Sequence, residues 1–381
     1  MVEELEEIEN KMQTTPKPAE ITEHFEIDSK DKFIEFMTTP KYHESNWKIN
    51  LKCNIDMEGA ALEPIDEYKG KFNGNGHIVS NMAFIRCCFA EENYGTISGI
   101  SFVNCQQVEV TSGFVASGFV IRNNKDGIIN NCFIENDILN RRFSAVIFVV
   151  INKGKITNCK AKGEVTGDYT SGGFVGENEG TITNCTAEGE VTGDYGSGGF
   201  VGENEGTITS CTAKCNVNVN GDNGVGGFVA YNNGHITKCR SSGKVNGKDK
   251  VGGFIGENYR GEITDCKAKG EVTGKDYVGG FIGCNREFGT IKNCTEEGEV
   301  KGNNYVGGFV GESGDMFSGI STIVEITNCK AKGKVTGKYT VGGFAGNNES
   351  KGIITNCTAE GEVCSGILDL QHIGETIPNF V

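Results

Sequence analysis

Proline is scarce in this chain, 5 among 381 residues, although glycine is abundant at 56. A collagen triple helix needs a strict three-residue glycine period and much proline, so that architecture is excluded. Histidine is equally rare. The 5 histidines (His24, His43, His77, His235 and His372) are scattered, which leaves little for histidine-based catalysis or zinc binding. Basic charge is also short: 36 Lys and Arg face 51 Asp and Glu, for a formal net charge of −15. Nucleic acid needs a phosphate-neutralising basic surface, so it is not an expected partner, and neither is an anionic membrane surface. No run approaches the ~18 apolar residues of a membrane span. The most apolar stretch, Phe143 to Ile151, has the length of a strand, so membrane insertion is not expected. The opening MVEELEEIENKM is acidic and has no apolar signal core. The expected setting is the cytoplasm or an intracellularly assembled particle, or the extracellular surface if a signal has been removed.

What the chain has is a repeat. Phenylalanines recur at Phe89, Phe119, Phe148, Phe174, Phe200, Phe228, Phe254, Phe281, Phe309 and Phe344. Cysteines follow them at Cys132, Cys159, Cys185, Cys211, Cys239, Cys266, Cys294, Cys329 and Cys357, with Ile100 in that place in the first coil. A valine stands six residues after each cysteine from Cys159 on: Val165, Val191, Val217, Val245, Val272, Val300, Val335 and Val363. Between them the pattern is Cys-x-Ala-x-Gly-x-Val, a period of two, which predicts a strand with this set on its inner face. The isoleucine three positions before the cysteine has the wrong parity for that face. A bend at the intervening asparagine (Asn158, Asn184, Asn293, Asn328, Asn356) resolves the conflict, because asparagine tolerates the left-handed conformation.

Each coil therefore has about three short strands, and parallel pairing with the coils on either side satisfies the backbone. The reading is all-β, a parallel β-solenoid of about ten coils of ~27 residues. Three residues after the cysteines stand Lys162, Glu188, Lys214, Ser242, Lys269, Glu297, Lys332 and Glu360. Their alternating charge suits stacked coils, in which opposite charges become neighbours. Most of the 16 cysteines recur once per coil, at spacings that match no zinc-ligand pattern, so they read as reduced core residues.

The rod needs closed ends. Residues 1–20 read as an acidic helix and linker. Residues 21–45 read as an N-terminal cap with a helix over Ser29 to Thr39 carrying Phe33, Ile34, Phe36 and Met37. Residues 46–363 form the solenoid, and 364–381 a C-terminal cap or tail.

Gly172-Gly173-Phe174-Val175-Gly176 and Gly198-Gly199-Phe200-Val201-Gly202 resemble the GLUG motif. That repeat occurs in large bacterial surface proteins, adhesin-like proteins and the non-catalytic region of IgA-cleaving metallopeptidases. Asn54-Ile55-Asp56-Met57 with Lys71-Phe72-Asn73-Gly74-Asn75-Gly76-His77 resembles the entry into such right-handed β-helices. The resemblance implies a right-handed parallel β-helix over roughly residues 45–363. It says little about activity, since the repeat supplies a scaffold.

Chemistry is thin. His43-Glu44 begins an H-E-x-x-H pattern, but Trp47 stands where the second histidine belongs. Asp168, Asp194, Asp249 and Asp276 recur near a corner and read as a solvated turn ladder. Asn73-Gly74-Asn75-Gly76 reads as a turn rather than a phosphate loop. The triplets at Asn184, Asn293 and Asn356 match the glycosylation pattern at repeat corners, and Asn348-Glu349-Ser350 is a fourth. No catalytic residue, metal site or cofactor is expected.

The expectation is a non-catalytic structural or interaction protein that partners other proteins in an assembly, such as a virus or phage particle, a filament or an intracellular scaffold. A surface adhesin or carbohydrate-binding module is the alternative, and a polysaccharide-active β-helix enzyme the third. The longest interruption of the repeat, Ser313 to Val324, exposes Met316, Phe317 and Ile320 if it loops out, and is the expected docking insertion. If the cysteines are core residues, thiol titration of the denatured protein will return about 16 free thiols; extensive bridging would overturn the core assignment.

Overall fold

A computed structural model describes residues 20–108, 116–140, 145–169, 171–221, 224–314, 323–349 and 352–365. Residues 1–19 and 366–381 lie outside the described part, and with them nearly all of the acidic N-terminal segment and of the C-terminal tail assigned from sequence.

The fold is a parallel β-solenoid of about twelve turns. One wall is a 13-stranded sheet that begins with Glu23–Ile27 and Trp47–Leu51 and ends with Gly352–Thr355. A second, 11-stranded wall runs from Ile65–Tyr68 to Ala345–Asn348. At a strand spacing of ~4.8 Å the 13-stranded wall extends roughly 60 Å. The count exceeds the ten coils read from phenylalanine and cysteine because the first coils fill the same inward places with other residues. Ile49, Phe72 and Ile97 pair in register and continue into Ile129, Ile156 and Ile182.

The bends come from single residues in the left-handed region. Asn158, Asn184, Asn293, Asn328 and Asn356 have φ of 55, 55, 55, 56 and 53°, and Ser210, Lys238 and Asp265 adopt the same conformation at the same corner. This turns the chain between the isoleucine and the cysteine, so both face the core, as the parity conflict required. The repeat's glycine behaves differently from the sequence reading. Gly189 has φ of +140°, and a Cβ there would lie 1.8 Å from the Gly163 carbonyl oxygen of the coil below. The row is a backbone crease rather than a member of the inner face. Cys215 stands opposite Gly189 in register, and its side chain is buried.

Inside, like sits on like. Phe174, Phe200, Phe228, Phe254, Phe281, Phe309 and Phe344 form a continuous stack with ring centroids 4.7–4.9 Å apart. Each ring removes apolar surface worth roughly 1.5–3 kcal/mol before chain entropy is subtracted. The cysteine row is buried throughout. The Cys159 amide points at the Cys185 sulfur 3.4 Å away, and the Cys185 amide at the Cys211 sulfur at 3.3 Å. Burial drives the thiols of Cys159, Cys211 and Cys294 up, so these stay protonated.

The first end is closed. The helix Lys30–Thr38 begins at Ser29, whose hydroxyl accepts from the Lys32 amide, and it buries Phe33, Phe36 and Met37. Phe36 lies 5.4 Å from Phe72 and 6.0 Å from Phe89, so the helix seals the aromatic core.

Outside, Lys162, Glu188 and Lys214 stand opposite one another in register, as do Lys269, Glu297, Lys332 and Glu360. Lys214 reaches Glu188 at 3.0 Å, while Glu297 takes its close partner from Lys267, at 2.9 Å. Exposed pairs of this kind contribute about 0–1 kcal/mol each. The inner and outer rows should therefore respond differently to charge. Cys239→Lys is expected to abolish most of the folded population, whereas the swap Lys269→Glu with Glu297→Lys should move the thermal midpoint little; similar small shifts for both would reverse the face assignment.

Candidate interaction surfaces

The 11-stranded wall carries a second ladder, polar and fully buried. Asn93, Asn123, Asn152, Asn178, Asn204, Asn232, Asn258 and Asn285 lie in register, four residues after each core phenylalanine. Each side-chain amide donates to the carbonyl oxygen of the next at 2.7–2.8 Å. Most also donate to a glycine carbonyl in the same turn, as Asn178 does to Gly180 at 3.3 Å. An amide is suited to this place because it both donates and accepts, so a buried row satisfies itself.

The ladder stops at Ser313, which takes the next place in register and is followed by Asn348. The Ser313 hydroxyl is buried and has no hydrogen-bond partner among the described residues. Here the expected docking insertion begins. Ser313 and Val324 are its two buried anchors, ending one strand and opening the next. Met316, Phe317 and Ile320 lie outside the described residues. Beside the insertion, Phe288 and Ile323 occupy the same corner of successive coils and are 50% and 57% exposed, and Ile353 in the following coil is 44% exposed.

On the outer side of the same wall a charged seam crosses this region. Lys250 donates to both oxygens of the buried Glu257 at 2.7 and 3.0 Å. Arg286 donates to Glu312 at 2.8 Å and lies 3.7 Å from Glu257. Both carboxylates are thus neutralised by cations, which suits an ion-paired joint between coils better than proton transfer. Two coils toward the first end, Glu177 and Glu203 face each other in register, with Glu205 nearby. Burial and these neighbours hold the Glu203 carboxyl above the ordinary range. Among the described residues, no group of three or more His, Cys, Asp and Glu is placed to hold a metal ion.

The other residues singled out from sequence are structural. His43 is buried against the Phe36 carbonyl at 2.7 Å, and burial lowers its pKa. Asn73 to Gly76 form a turn in which Asn73 accepts from the Asn75 amide at 3.1 Å. The aspartates do not make one ladder. Asp249 and Asp276 stack and continue into Asn304, whereas Asp168 and Asp194 stand one residue further from the register that joins Ser171, Ser197, Val225 and Val251. Asn184, Asn293 and Asn356 are exposed at their corners. No helix among the described residues is long and apolar enough to cross a membrane.

These features define the chain as a repeat protein of the β-solenoid class, with register-stacked ladders inside and paired charges outside. More particularly, its coils carry GLUG motif repeats: residues 167–192, 221–246, 251–273, 302–336 and 337–363 match the GLUG motif. It is similar to halomucin of Haloquadratum walsbyi, with 30% identity over 114 residues. That match covers 30% of this chain and spans 1% of the length of halomucin. Among solved structures it is similar to one described as "a putative immunoglobulin A1 protease" from Bacteroides ovatus, at 18% identity and a TM-score of 0.43. The match covers 64% of this chain and 78% of the other.

One acidic side chain interrupts the inner pattern. Glu296 stands in the alanine row, in register between Ala268 and Ala331, and is buried. Burial raises its carboxyl to about 8, opposed by the Lys332 amide 3.3 Å away. The folded state therefore holds a proton that the unfolded chain, at the ordinary carboxyl value, has released, and stability falls as pH rises from about 4.5 to 8. Glu296→Ala should remove this dependence and raise the unfolding free energy, read from denaturant melts, more at pH 8 than at pH 5, by an amount on the order of a few kcal/mol. Equal gains at both pH values would mean that the carboxyl is not buried in the folded chain.

Proposed function

We propose that this chain is a non-catalytic rod that holds other proteins in an assembly, and that its docking element is the insertion between Ser313 and Val324. The observation that carries this reading is the coincidence, within two successive coils, of three departures from the repeat: the insertion, the end of the asparagine row, and the exposed Phe288 and Ile323 at the same corner. Loops that interrupt a regular scaffold are where binding concentrates, because the scaffold fixes their ends while the loop itself is free of the core. The outer charges are largely paired between coils, which suits a long rod that stays soluble. The proposed setting is the cytoplasm or an intracellularly assembled particle.

A carbohydrate-binding role is the second reading. Tyr169 and Tyr195 stack with centroids 5.6 Å apart and are 52% and 50% exposed, which leaves aromatic surface available to a sugar.

The test is cross-linking of the intact protein in its source cells, followed by mass spectrometry, on wild type and on Met316→Asp with Phe317→Asp. Cross-links to a protein partner should concentrate around residues 288–325 and be lost in the variant, with the melting midpoint unchanged. Cross-links that persist would refute the docking assignment. Glycan-array binding that disappears in Tyr169→Ala with Tyr195→Ala would replace the first reading by the second.

A further inference from the structure

Interior coils pass backbone hydrogen bonds forward to the next coil. The Phe309 amide donates to the Phe344 carbonyl at 2.8 Å, Asn328 to Thr355 at 3.1 Å, Gly333 to Glu360 at 3.0 Å and Val335 to Glu362 at 2.8 Å. One coil later the equivalent donors are the amides of Phe344, Asn356, Gly361 and Val363, and no acceptor faces them among the described residues. The side chains repeat the pattern. Val363 is 45% exposed where its register partner Val335 is 2% exposed. Ile354 and Ala359 are half-buried where Ile326 and Ala331 are buried. A terminal coil that met water would carry polar residues at these places. This one keeps the apolar residues of an interior coil, so its composition suits a covered surface.

We propose that residues 366–381 lie over this end of the rod and prevent it from pairing with a second copy of the chain. The segment reads GILDLQHIGETIPNFV, and Ile367, Leu370, Ile373, Ile377 and Phe380 recur every three or four residues, enough apolar side chains to meet Phe344, Ile354, Ala359 and Val363. It is tethered at Ser365, where the last strand ends, so its effective concentration at the end exceeds that of any free copy. A second copy is the weaker occupant. Head-to-tail joining meets the helix and strand that close the first end. Tail-to-tail joining would bring Glu360 and Glu362 of both copies to one seam, where like charges repel. This inference is independent of the docking insertion and can fail without affecting it.

The experiment uses the full chain. Hydrogen exchange and light scattering are measured on wild type and on Leu370→Asp with Ile373→Asp and Ile377→Asp. Wild type should be monomeric, with the amides of Asn356, Gly361 and Val363 protected. In the variant those amides should exchange at least about tenfold faster while Asn328, Gly333 and Val335 keep their rates, and the mass should rise with concentration. Unchanged exchange in the variant would overturn the proposal. So would a wild-type dimer that Val363→Lys dissociates, since the occupant would then be a second copy.

Discussion

Everything in this molecule depends on parallel pairing in register. Each residue of one coil sits one strand spacing, ~4.8 Å, from its counterpart in the next. A side chain must therefore tolerate its own kind on both sides, and the rows that result are those that can. Aromatic rings stack, thiols and alanines nest, amides donate and accept in turn, and carboxylates alternate with amines. Where a row meets an unsuitable member, as at Glu296 among alanines, the cost appears as a titration displaced from its ordinary range.

This constraint explains what could be read from sequence. Phenylalanine, cysteine and valine were legible because a buried row leaves a periodic apolar signal, and the corner asparagines because parity failed without them. The buried asparagine row was not recognised, although its signal was present: an asparagine four residues after each core phenylalanine from Phe89 to Phe281. Read one coil at a time, Glu-Asn-Glu-Gly looks like a solvated turn, and only the comparison between coils shows that the asparagine never varies while its neighbours do. The crease at Gly189 was misassigned because alternation reports which side a residue faces and carries no information about φ. The first coils fall within residues 46–363 but outside the count of about ten, because Ile49 and Phe72 serve the same place without the marker residues.

The interaction surfaces were less legible than the fold. The insertion was visible as a break in spacing, and its anchors Ser313 and Val324 are where a scaffold would hold it. The seam of Lys250, Glu257, Arg286 and Glu312 was invisible, since its contacting pairs lie seven to 29 residues apart in sequence and meet only through stacking. Such cross-coil groups cannot be found by local motif, and a solenoid forms them wherever one row changes identity.

The amide row has a directional consequence. From Asn93 to Asn258 each side-chain nitrogen donates toward the later coil, and from Asn123 to Asn285 each oxygen accepts from the earlier one. The amide dipoles therefore point the same way and add, whereas the alternating backbone groups of a sheet largely cancel. Each bond polarises the next, so the row strengthens with length and gives a symmetrical-looking rod a positive and a negative sense. Its positive end falls at Asn285, beside Ser313, so the field of eight aligned dipoles emerges from the core where the insertion leaves the scaffold.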